Sequence, residues 1–167
     1  FPYNKGGQYR KWYGNNDYVV YYLNDGKELI DLVRKKYPRI SDPEFIIKNR
    51  NCYFKEGIEW SDLTTGSFGA RIVQGGFIFD ACSPTLFITG GCSYEFLLGL
   101  MNTVVFQKYM NILSPTMHYN ICNVVQVPLI QKETKMIEQL VAENIQNSQN
   151  DWDSFETSWD FKKHPLV

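Results

Sequence analysis

No stretch of about 18 apolar residues occurs in this sequence, and no basic leader precedes an apolar core, so neither a membrane span nor a signal peptide is expected and the chain reads as cytoplasmic with no membrane partner. Cysteine is sparse and poorly placed for metal: Cys52, Cys82, Cys92 and Cys122 are irregularly spaced, with no CxxC pair and no HxxxH partner. A zinc site is therefore not expected, and the thiols read as small core residues in a reducing cytosol. The two histidines, His118 and His164, stand alone. An excess of positive charge is also missing, since 17 Lys and Arg against 18 Asp and Glu leave a net charge of −1. That balance argues against a protein that coats nucleic acid through neutralised phosphates alone.

Catalytic patterns are equally scarce. Gly90-Gly91 sits where a strand would hand over to a helix, but neither GxGxxG nor GxxxxGK[ST] spacing is present, so a tight turn is the better reading than a nucleotide cradle. Glu56, Glu59 and Asp62 are close in sequence but have no nearby histidine or further carboxylate at ligand spacing, which gives a nuclease little support. Nothing in the spacing pairs Cys92 with His118. No catalytic, cofactor-binding or metal-binding residue is assigned.

What the chain does have is a distinctive first segment, FPYNKGGQYRKWYGNNDYVV. Lys5, Arg10 and Lys11 supply charge, Gly6, Gly7 and Gly14 supply backbone freedom, and Tyr9, Trp12, Tyr13, Asn15 and Asn16 supply stacking faces and amide edges. This is the residue kit of a loop that contacts a polynucleotide. A surface loop whose aromatics staple it to a core uses the same residues, and the segment alone leaves both readings open. Charge is segregated: up to Lys55 eleven basic residues face six acidic ones, whereas from Val127 onward four face seven.

At 167 residues the chain is long enough for one domain, which would bury roughly 68–70% of its unfolded surface. Asp25 and Glu28 resemble a capping pair, and Leu29, Val33 and Tyr37 recur at helical spacing until Pro38, so a helix is expected over 26–37, with Arg34, Lys35 and Lys36 as solvated charges in its last turn. Short β-rich runs at 52–55, 68–73, 76–80 and 85–89 predict strands, with Gln74-Gly75-Gly76 as a hairpin turn. Alternation places Phe68, Ala70 and Ile72 inward, and leaves Gly69 and Arg71 on the other face, with Arg71 free to meet a ligand.

Ser93 should cap one long core helix over 93–112, with Phe96, Leu97, Leu100, Met101, Val104, Val105 and Ile112 on its wide apolar face. A further helix is expected from Lys132 to about Gln146, with Met136, Leu140, Val141 and Ile145 inward and Glu133, Lys135 and Glu143 outward. Residues 151–167, with Trp152, Phe155, Trp159 and Phe161 among acids, read as a docking arm following a domain at 1–150. The fold expected is α+β, a small twisted and mainly antiparallel sheet packed on the long core helix.

Several blocks together resemble the adenine-specific DNA methyltransferases of BREX phage-defence systems, the PglX type. They are PYNKGGQYRKWYGNNDYVV at 2–20 with NDG at 24–26, RNCYFKEGIEWSDLTTGSFGARI at 50–72, GFIFD at 76–80, LLGLMNTVVFQKYMNILSPT at 97–116 with VVQVPLI at 124–130, and DWDSFETSWDFKKHPL at 151–166. The 97–130 block is also similar to target recognition domains of type I specificity subunits and type IIG restriction-modification enzymes. The chain begins with Phe rather than Met and reads as a piece of a longer protein. The resemblance implies a recognition domain of an N6-adenine methyltransferase whose S-adenosylmethionine motif and Asn-Pro-Pro-Tyr motif do not occur in these residues.

Its expected partners are double-stranded DNA, the catalytic domain of the same parent chain and other BREX subunits. Base extrusion and methyl transfer require a catalytic pocket, while register is set by a separate surface that reads base edges. By residue type, Lys5, Arg10, Lys11, Arg50 and Arg71 are candidates for phosphate or guanine contacts, Asn15 and Asn51 for adenine edges, and Trp12 and Tyr13 for packing on sugar or bases. A module that docks other defence subunits or a phage-encoded inhibitor through the aromatic tail is the alternative.

Overall fold

Among the described residues the strands form two small sheets. Gly57–Trp60 (β3) pairs antiparallel with Ala70–Val73 (β4) and with Thr85–Leu86 (β6). A second three-stranded sheet holds Pro2–Asn4 (β1) between Tyr18–Val19 (β2), antiparallel, and Ile78–Phe79 (β5), parallel. The α-helices among the described residues are Lys27–Lys36 (α1), Tyr94–Met101 (α2), Val104–Leu113 (α3), Ile121–Val124 (α4) and Lys135–Trp152 (α5). These come from a computed structural model that describes residues 1–130 and 134–166. The architecture is α+β, with antiparallel pairing dominant.

The main core lies where β3 and β4 meet α2, α3 and α5, and is built on Ile58, Trp60, Phe68, Leu98, Met101 and Met110. Gly99 lets α2 and α5 approach closely, since a Cβ there would come within 2.8 Å of Val141 Cγ2. A smaller cluster of Tyr22, Val33, Ile47, Tyr53 and Ile78 seats α1 against β5. Among the described residues no helix is long and apolar enough to cross a membrane.

Several expectations are corrected. Residues 52–55 form no strand: Arg50–Cys52 is a 3-10 turn, and Phe54 takes φ 66°. The Phe54 N–H donates to Phe77 O (2.8 Å), and Phe54 O accepts from Gly76 N–H (3.0 Å). The Gly75-Gly76 turn thus docks on Phe54, and it joins strands of two different sheets, not the arms of a hairpin. At α1 the helix is found as expected, but its N-cap is Gly26 at φ 71°, and Asp25 sits in a left-handed turn without capping the helix. The thiols are not core residues, for Cys82 and Cys122 are exposed and Cys52 and Cys92 half-buried.

The expected long core helix is two helices. Ser93 caps α2 through Phe96 N–H as expected, but the run breaks at Asn102-Thr103, and Thr103 caps α3 through Phe106 N–H. The cause is Asn102, whose buried carboxamide bonds both Ala70 N–H (3.0 Å) and Ala70 O (2.9 Å), as a neighbouring strand would. After the break the inward face of α3 is Phe106 and Met110, while Val104, Val105 and Ile112, expected inside, are exposed. Thr103→Ala should cost about 1 kcal/mol in urea unfolding, because α3 then starts with unpaired amides.

Helix α5 runs past position 150, the expected domain boundary, to Trp152. Val141 is buried as expected, and Ile145 is half-buried, but Met136 and Leu140 are exposed. Lys132 and Glu133, expected at the start of this helix, lie outside the described residues. Beyond the helix, Trp159 stacks on Phe77 with ring centroids 6.3 Å apart and planes 7° apart, and Phe155 is exposed.

Candidate nucleic-acid interface

The glycine-rich segment 5–16 is irregular in conformation but firmly attached. Trp12 adopts φ 72° and pairs its backbone with the edge of β4, donating to Ala70 O (2.9 Å) and accepting from Ile72 N–H (2.9 Å). Its indole packs against the main core. Lys11 donates from Nζ to Asn102 O (2.8 Å), the carbonyl at the end of α2. Asn15 is buried and spans the loop through Nδ2 to Gln8 O (2.9 Å). Tyr13 is also buried, and burial pushes its phenol up, with Asp153 and Asp160 adding to the effect.

Arg10 is held by what lies across from it. Its guanidinium lies over the Trp152 ring at 4.9 Å and reaches Asp151 at 3.4 Å. Gly14 makes this possible: at φ 115°, a Cβ there would come within 2.5 Å of Arg10 Cδ and 2.9 Å of Trp152. The contact brings the loop against the C-terminal half of α5.

Beneath the loop sits a buried ion pair. Glu59 and Arg71 are direct cross-strand partners, both 1% exposed, and Arg71 Nε donates to Glu59 Oε1 at 3.1 Å. Arg71 is therefore not free on an open strand face, because residues 5–16 cover that face. Its remaining donors point to Ser61 Oγ and to the Arg10 carbonyl, both at 3.4 Å, and Ser61 Oγ in turn donates to Gly7 O (2.9 Å). Ser83 Oγ donates to the other Glu59 oxygen. The loop's shape is thus fixed from below by charged and hydroxyl donors that satisfy its carbonyls.

The surface this creates is a groove of about 420 Å³ between the loop and α5. The loop contributes Tyr9, Arg10, Lys11 and Trp12, and the helix contributes Asn144, Asn147 and Ser148, with Asp151 at one end. The three helix residues follow i, i+3, i+4 spacing and so share one face. Sequence reasoning missed them, although six of the seven residues from Asn144 to Asn150 are Asn, Gln or Ser. Such amide and hydroxyl groups can both donate and accept, which suits base edges and phosphate oxygens alike.

Of the residues singled out from sequence, Arg10, Lys11 and Trp12 line this groove together. Lys5 is exposed, 5.5 Å over the Tyr18 ring. Arg50 belongs to the smaller lobe, where Nε donates to Tyr22 Oη (3.0 Å) and Nη2 to Asp25 O (2.9 Å), and its neighbour Asn51 is exposed. The five candidate cations do not converge: Arg10 and Lys11 line the groove, Lys5 lies outside its lining, Arg71 lies under the loop and Arg50 is on the other lobe. Among Glu56, Glu59 and Asp62, Glu59 is taken by Arg71, and Asp62 Oδ2 meets His118 Nδ1 at 2.9 Å.

No family model matches the chain. It is 36% identical, over 167 residues, to the adenine-specific methyltransferase PglX of Lacticaseibacillus casei (strain Zhang) and 33% identical, over 169 aligned positions, to the adenine-specific methyltransferase BrxX of Escherichia coli O9:H4 (strain HS). All of this chain is matched, against 14% and 13% of those proteins. From end to end, the chain is homologous to one segment, about a seventh of the length, of these adenine-specific methyltransferases.

Proposed function

We propose that this chain is the DNA-recognition segment of a longer adenine-specific methyltransferase in a BREX-type defence system. Residues 1–150 form the reading unit and 151–167 lead toward the rest of the polypeptide. S-adenosylmethionine binding and base extrusion belong to a catalytic domain outside this chain. Similarity to the two methyltransferases supports the parentage, and the observation that carries the reading role is the groove pairing Arg10 and Lys11 with the amide face of α5.

In this reading Asn144 and Asn147 meet base edges, Arg10 meets a guanine or a phosphate, and Trp12 and Tyr9 pack on sugar. Lys11 and Lys5 contact the backbone around them, and Arg50 and Asn51, on the other lobe, reach backbone farther along the duplex. Arg71, Tyr13 and Asn15 act through the loop they hold. A near-neutral segment suffices if other domains supply further phosphate contacts.

The test is made in the full-length methyltransferase. Lys11→Ala should weaken DNA binding for all sequences alike and reduce the salt slope by about one. Asn147→Ala should lower discrimination at one position of the methylated motif by about 1–3 kcal/mol. A methylome and binding isotherms unchanged in both variants would remove the groove from DNA recognition.

A further inference from the structure

A second cleft, of about 1260 Å³, opens between the α1 lobe and the turn after β5, and DNA reading makes no use of it. Its lining is chiefly apolar and includes Tyr53, Phe79 and Phe87. Phe45 and Ile121 also line it and are both exposed.

Two carboxylates line this space, Asp80 and Asp62, and Asp62 is already engaged by His118 Nδ1 at 2.9 Å. Asp80 accepts the Tyr3 hydroxyl at 2.8 Å on one oxygen and the Cys82 N–H at 2.7 Å on the other. Burial, and then the bond to Asp80, push the Tyr3 phenol up, so that it remains a donor and supports the charged carboxylate. Among the described residues no lysine or arginine comes within 4.0 Å of Asp80. Lys48, which also lines the cleft, lies over the Phe45 ring at 5.7 Å.

An uncharged apolar occupant would strip water from Asp80 and give it no counter-ion, which is costly. A nucleic-acid strand would bring phosphates against two carboxylates. A cation carried on an apolar backbone removes both problems, since the carboxylate pairs with it and the surrounding aromatic faces attract it. The cleft also exceeds the roughly 300–1,000 Å³ of a small-molecule site.

We propose that this cleft docks a polypeptide segment in which an arginine or lysine is flanked by large apolar side chains, with the cation on Asp80 and the flanks on Phe79, Phe87 and Ile121. The proposal is independent of the DNA-reading role. Its occupant is a segment from the remainder of the longer polypeptide, since this chain matches only about a seventh of its relatives' length.

The probe is a fluorescein-labelled peptide of repeating leucine, arginine and phenylalanine, followed by anisotropy against the intact chain, with a citrulline version as the uncharged control. Saturable binding is expected, about tenfold tighter for the arginine peptide than for its control. Asp80→Asn should abolish that difference. Ile121→Lys, at an exposed position that packing does not need, should weaken the arginine peptide by about tenfold, and it decides the matter if Asp80→Asn does not fold. Absence of saturable binding, equal affinity for the two peptides, or displacement of the peptide by duplex DNA would overturn the proposal.

Discussion

Replacing Glu59 with alanine is expected to lower stability by about 3–5 kcal/mol, because it leaves the Arg71 guanidinium buried with no counter-charge. Both side chains are almost fully enclosed, and the loop over them blocks the route by which Arg71 could turn to solvent. For a chain of this size such a loss should bring the thermal midpoint down by about 10 °C. The paired replacement, Glu59→Met with Arg71→Met, should recover most of the loss, since two apolar side chains of similar volume need no desolvated partner. Urea unfolding of the single and double variants separates the cases. A loss under about 1 kcal/mol for Glu59→Ala would mean that water reaches the pair.

Trp60→Ala should cost a similar amount, about 3–5 kcal/mol, for a different reason. The indole is 1% exposed, packs on Phe68 with ring centroids 6.0 Å apart, and donates from Nε1 to Tyr119 O at 2.7 Å. Truncation therefore opens a cavity at the centre of the main core and orphans a buried carbonyl. Trp60→Phe keeps most of the apolar volume and loses only the donor, so about 1–3 kcal/mol is expected. Calorimetry that found the two variants equal would show that the hydrogen bond dominates and the cavity collapses.

Local signals in the sequence were reliable where the deciding contacts are local. Helix α1 follows from Leu29 and Val33 before Pro38, and the start of α2 from Ser93, since spacing and capping act within one turn. Arg71 was misplaced because alternation tells which side of a strand a residue faces, and not whether another segment covers that side. The covering segment begins more than fifty residues earlier and is attached by backbone bonds at Trp12, which leave no trace in side-chain pattern. The break at Asn102 was hidden for a similar reason: its carboxamide serves Ala70 on a distant strand, and only Thr103, a good N-cap in the middle of an apolar run, marked the place.

The site was legible in part. Charge, aromatic content and glycine marked the loop, and Arg10, Lys11 and Trp12 do share a groove. The opposite wall does not stand out in sequence, because amide-rich stretches are common in solvated helices and it is the contacts of Arg10 with Trp152 and Asp151 that show what this one faces. Residue type alone groups Arg50 and Asn51 with the loop, and the fold puts them on the other lobe.

The parallel pairing of β1 with β5 sets an order on folding. Tyr3 finds Ile78 only after the chain between them has been drawn together, a closure whose entropy is lost before any contact rewards it. The β3–β4 arms are closer in sequence and are expected to pair first, with the β1–β5 pairing added to them. The groove that carries Arg10 and Lys11 rests on contacts of long sequence separation, Trp12 with Ala70 and Arg10 with Trp152, and its assembly is expected to follow that of the β3–β4 pair.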